Sequence, residues 1–104
     1  MSNILTNIKE LISFYIKTNY EEYLKVNNID KIEESKINEI VTKMFDEKKE
    51  HLQTFVKNAL KDLLEKEEYP GDNQIDIIFS EIIEDRDFCI TKLTTEIKLY
   101  QKNK

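Results

Sequence analysis

Apolar residues recur at steps of three and four along nearly all of this 104-residue chain, interrupted by only one glycine and one proline. That spacing collects side chains on one face of an α-helix, whereas a strand alternates its faces every second residue. Short helices are marginal in water by themselves, so each apolar stripe has to be covered by another helix. The expected fold is therefore all-α, an antiparallel three-helix bundle that becomes four or five helices if the second or third is broken. A chain of this length supports one core, so residues 1–104 are expected to form a single helical domain.

The first stripe runs through Ile4, Leu5, Ile8, Leu11, Ile12, Tyr15 and Ile16, continues more loosely with Tyr20, Tyr23 and Leu24, and predicts a helix over about 3–26. Ser2 or Asn3 suits its N-cap, and Asn27-Asn28 tolerate the left-handed conformation that ends helices. Ile29 and Ile32 are expected to dock a connector, with Asp30 or Ser35 capping the next helix.

Helix two, over 36–67, carries Ile37, Ile40, Val41, Met44 and Phe45, then Leu52, Phe55, Val56, Ala59, Leu60, Leu63 and Leu64, separated by the polar run Asp46 to His51. Unbroken, it spans about 48 Å, which calls for an elongated bundle or a bend. Tyr69-Pro70-Gly71-Asp72 predicts a tight reversal with Asp72 capping the third helix. That helix, over 73–101, places Ile75, Ile78, Phe79, Ile82, Ile83, Ile90, Leu93, Ile97 and Tyr100 on one face, with Glu84-Asp85-Arg86-Asp87 as another candidate bend.

The net charge of −5 is spread evenly: 3 basic against 4 acidic residues over 1–30, 8 against 10 over 31–70 and 5 against 7 over 71–104. Phosphate binding draws on clustered Lys and Arg, and no segment supplies a basic arm, so direct nucleic-acid binding is not expected. No apolar run reaches the length of a membrane span, and the start MSNILTNIKE has no secretory pattern, so an intracellular protein is expected, cytoplasmic or within a virion. Cys89 is the single cysteine and leaves the fold to packing alone. The excess of Lys over Arg, with abundant Ile, Asn and Glu, reflects an AT-rich genome of the kind found in low-GC bacteria, their phages, protists and large DNA viruses.

Reactive constellations are not evident. His51 follows Glu47 by one turn, but one histidine and one cysteine cannot build the usual zinc sites, and di-metal carboxylate centres use a different, repeated spacing. Acidic neighbours Asp85 and Asp87 disfavour the Cys89 thiolate, which points to a packing role. Asp72, Gln74 and Asp76 resemble the opening of a calcium loop, yet Ile77 replaces its glycine and Ile83 its bidentate glutamate. Glu81 and Asp85 could pair as acid and base, although glutamate-rich helix faces produce such pairs by chance. No catalytic, cofactor-binding or metal-binding residue is therefore assigned, no small-molecule substrate is expected, and an enzyme is not expected.

Apolar residues off the main stripes point instead to a protein partner or self-association. Ile77, Phe88 and Leu99 follow one another at steps of eleven, on the helix face opposite the core unless a bend near residue 86 turns Phe88 inward. Phe14, Tyr20 and Tyr23 form a similar patch on the first helix, tyrosine combining an apolar ring with a polar tip. The leading expectation is a non-enzymatic interaction or assembly subunit of a larger complex, viral or phage complexes included. The alternative is an acidic inhibitor that mimics nucleic-acid charge through Glu81, Glu84, Asp85 and Asp87 and blocks a basic groove on an enzyme.

Overall fold

A computed structural model describes residues 4–103, which form four helices: α1 (Ile4–Val26), α2 (Glu34–Leu63), α3 (Asp72–Glu84) and α4 (Arg86–Lys102). Among the described residues there is no strand. The expected caps Ser2 and Asn3 lie outside the described residues.

In α1 the buried residues Ile8, Ile12, Ile16, Tyr20 and Leu24 follow one another at intervals of four. Each such step overshoots a full turn by about 40°, so the buried face winds round the helix and meets different neighbours at its two ends. The helix closes at Asn28, which adopts a left-handed φ of 53° as its sequence allows. The next helix does not use the anticipated caps. Its N-cap is Glu33, without a side-chain cap bond, because the helix begins early and draws Ser35 inside it.

α2 runs unbroken for 30 residues. The polar run Asp46 to His51 is exposed throughout, between a buried Phe45 and a buried Leu52. The helix is therefore continuous across a thin part of the core. Its length of about 45 Å matches the 44 Å long axis of the molecule, whose other extents are 24 and 22 Å. It ends at Leu63, earlier than the stripe implied, since Leu64 turns to an extended conformation and buries its side chain while Leu63 is left in solvent.

The Pro70-Gly71 reversal leads into α3 with Gly71 as N-cap at a φ of 105°, a conformation that suits glycine. Asp72 is thus the first helical residue rather than the cap, and its carboxylate accepts a hydrogen bond from Tyr69 at 2.7 Å and meets Lys61 at 3.3 Å. One turn on, Asp76 accepts from Gln53 at 2.7 Å and pairs with Lys57 at 3.0 Å.

The third predicted helix is two helices. At Asp85 the backbone leaves helical geometry, with φ −94° and ψ 66°, and the Asp85 side chain accepts the Phe88 amide at 3.4 Å to start α4. Arg86, the only arginine of the chain, reaches across to Asp46 with two bonds of 3.0 and 2.6 Å. Further along, Asn38 donates to Thr94 at 3.3 Å. Contacts from Asp72–Lys61 through Arg86–Asp46 to Asn38–Thr94 show α3 and α4 descending in turn along α2, antiparallel to it. The bundle is thus antiparallel, with its third helix split in two.

At the α1–α2 connector Gln101 closes the structure. Its Oε1 accepts from the Tyr20 hydroxyl at 2.6 Å and from the Ile32 amide at 2.7 Å, while its Nε2 donates to the Ile32 carbonyl at 2.8 Å. The connector that carries Ile32 is thereby fixed to α4, and Ile32 enters the core as its sequence predicted, whereas Ile29 stays exposed.

Candidate functional site

The buried stripes merge into one core, and the surface beside the α3–α4 junction is what they leave uncovered. α1 packs on α2 and α4, and α3 packs on α2 and α4. Where α1 passes the junction, a groove of about 290 Å³ opens, floored by Ile12, Ile82, Cys89 and Leu93 and edged by Leu5 and Phe88. Phe88 is 63% exposed although it follows the break by only three residues. The break therefore does not turn Phe88 into the core. It restarts the helix with Ile90 and Leu93 inward, which leaves Phe88 at the rim.

The groove also carries charge: Lys9 of α1, Glu81 of α3 and Asp85 at its C-cap, and Lys92 of α4 line it. Among the described residues neither lysine forms an ion pair, and neither does Glu81. Cys89 on the floor is half-buried and donates its thiol proton to the Ile82 carbonyl at 3.1 Å. Burial, helped by the Asp85 charge, pushes its thiol pKa up against the opposing pull of Lys9 and Lys92. A thiol in that state is a poor nucleophile and a serviceable packing group.

The residues predicted as contact surface separate. Ile77 and Leu99 are 54% and 55% exposed, but the break interrupts the straight row of eleven-residue steps. Ile77 borders a second depression beside Lys49 and Gln53 of α2, which shares Glu81 with the groove that Phe88 edges. Phe14 is exposed yet stacks on Phe55 of α2, with ring centroids 6.2 Å apart, and Tyr15 tilts onto the same ring at 5.1 Å. Tyr20 does not belong to a surface patch. It is 1% exposed, because the four-residue buried series of α1 carries it inward to Gln101, and it meets the Tyr100 ring edge-on at 5.9 Å. Tyr23 is half-buried against the core and contributes to a second, more polar depression between α1 and α2.

The remaining sequence candidates find structural roles or none. Glu47 and His51 both lie exposed in the polar run of α2 and form no ion pair with each other. Among the described residues no group of three or more His, Cys, Asp or Glu side chains is placed to hold a metal ion. Asp72 and Asp76, the apparent calcium-loop residues, are held below the usual carboxylate range, Asp72 chiefly by the Tyr69 hydroxyl and Lys61, and Asp76 chiefly by Lys57 and Gln53. No described helix is long and apolar enough to cross a membrane.

Sequence reasoning singled out Phe88 but missed Leu5, Lys9, Ile82 and Lys92 beside it. Leu5 and Ile82 sit on core stripes, so local pattern places them inside rather than at an opening. The chain matches no protein-family model, no curated protein and no solved structure.

Proposed function

We propose that this protein is a non-enzymatic interaction or assembly subunit that binds another protein through the groove at the α3–α4 junction. The observation that carries this reading is the Phe88 ring, held largely in solvent by a capped helix at the edge of an apolar groove. Exposing an aromatic ring in contact with water forgoes roughly 1.5–3 kcal/mol of burial, and buried aromatic anchors are where interface energy concentrates. Ile77, Leu99 and Phe14 offer further apolar contact outside the groove lining.

The acidic-mimic alternative draws on Glu81, Glu84, Asp85 and Asp87 around the same junction. Asp87, however, lies 3.5 Å from Arg86, and that arginine is already committed to Asp46, so the junction is not a uniformly negative strip.

One experiment separates the two. The wild-type chain and Phe88→Asp are used as bait in extract of the native host at low and at high salt. An apolar contact retains its partner on the wild type through high salt and loses it on the variant. Equal retention on both baits contradicts the groove, and elution by salt with no effect of the variant favours mimicry, since exposed charge pairs are screened.

A further inference from the structure

We infer that the α3–α4 break is a latched hinge in what is otherwise one helix, and that releasing the Asp85 cap and the Arg86–Asp46 clasp joins α3 and α4.

Apolar phase runs through the break. Ile83 and Ile90, the buried residues on either side of it, stand seven positions apart, which is two helical turns to within about 20°. Phe45 and Leu52 stand at the same spacing across the polar run of α2, and there the helix continues. No glycine or proline lies between Ile83 and Ile90. Nothing in the buried pattern therefore calls for an interruption.

Register against α2 runs through it as well. From Lys61–Asp72 to Lys57–Asp76 the contacts move four residues back along α2 for four forward along α3. The next step, to Asp46–Arg86, crosses the break and moves eleven back for ten forward, and the last, to Asn38–Thr94, moves eight for eight. Two antiparallel helices lying side by side advance at this even rate, so the break takes up almost no chain. α3 and α4 together hold 30 residues, as many as α2.

What sets the break apart is side-chain chemistry. In an unbroken helix the Arg86 and Phe88 amides would donate to the Ile82 and Glu84 carbonyls. Here the Phe88 amide donates to the Asp85 carboxylate at 3.4 Å, and the Ile82 carbonyl accepts the Cys89 thiol at 3.1 Å. Arg86 meanwhile holds Asp46 with two bonds. Ile82 and Cys89 both line the groove. On a straight helix their separation of seven residues is about 10 Å, too far for the thiol contact, so the latch sets how closely the α3 and α4 residues of the groove approach each other.

Amide hydrogen exchange and Hα–HN (i, i+3) Overhauser contacts over residues 83–89 of the full chain test this, in wild type, Asp85→Ala, Asp85→Asn and Asp85→Ala/Arg86→Gln. Both positions are exposed; alanine favours a helix interior, whereas asparagine preserves an N-cap. Exchange at Arg86 and Asp87 is expected to slow about tenfold or more in the double variant, to slow less in Asp85→Ala, and to keep its wild-type rate in Asp85→Asn. Helical Overhauser contacts should pass through residue 85 only where exchange has slowed. Asp85→Ala, the milder change, carries the test by itself. Exchange as fast in Asp85→Ala as in Asp85→Asn, or helical contacts that still stop at residue 84 in the double variant, would overturn the inference, because packing rather than the latch would then hold the break. The readout needs no binding partner, so that outcome leaves the interaction reading standing.

Discussion

The two places where the bundle's helices are tied together show opposite outcomes of the same packing problem. At the α1–α2 connector an aromatic ring, Tyr20, is buried and its hydroxyl is satisfied by Gln101, which also takes both polar groups of the Ile32 backbone. At the α3–α4 junction an aromatic ring, Phe88, is left in solvent, and the polar groups nearby are spent on capping the helix and on the Arg86–Asp46 pair. The first region uses a polar side chain to let an aromatic enter the core. The second uses polar side chains to fix a break, and the break stops the core short of the surface.

The two aromatics are where this contrast breaks most easily. Tyr20→Ala should cost about 3–5 kcal/mol, as removal of a fully buried ring does, whereas Phe88→Ala should stay within about 0.5 kcal/mol of wild type. Urea unfolding of both variants measures the contrast, and similar losses would mean that the junction is part of the core. Gln101→Ala should come next, at about 1–3 kcal/mol, because the Tyr20 hydroxyl and the Ile32 amide lose their acceptor together. Tyr20→Phe sharpens the point: it should be milder than Gln101→Ala, since it removes one bond and leaves the connector fixed.

Smaller effects are expected from the charges along α2. Hydrogen bonds from Arg86 hold the Asp46 carboxyl below its ordinary value of 3.8, and Asp72 and Asp76 are likewise depressed. Their contribution to stability is complete above the unfolded carboxylate range and disappears as pH falls through the depressed folded values. All three side chains are solvent-exposed or partly so, and screening keeps the gain modest. Asp46→Asn should therefore lower the melting temperature slightly at pH 7 and flatten its decline between about pH 5 and pH 2. An unchanged acid limb would show that the Arg86 contact contributes nothing to holding α3 and α4 against α2.

Much of this architecture was legible in the sequence, for definite reasons. The stripes of α1 and α2 are local, as are the left-handed Asn28, the Pro70-Gly71 reversal and the acidic run that breaks at Asp85, and local pattern shows them. The roles of Tyr20 and Gln101 were not legible, because they meet across 81 residues of chain. Asp46 and Arg86 meet across 40, so the polar run in α2 looked like a thin spot rather than a docking point. Leu63, placed on the stripe together with Leu64, is left in solvent because helix ends are decided by what the next segment must bury, not by the stripe leading to them. The groove was half legible. Phe88 stood out as an apolar residue off the stripe, but which residues faced it depended on where α1 passes the junction.

The central claim is that the break at Asp85 leaves the Phe88 ring in solvent at the edge of a groove, outside the core, and methyl-labelled NMR addresses it directly. In Phe88→Ala the methyl signals of Leu5, Ile82 and Leu93, which line the groove, should shift while those of Ile37 and Leu60, deep in the bundle, stay in place. Shifts spread through the core, or none at the groove, would contradict the account.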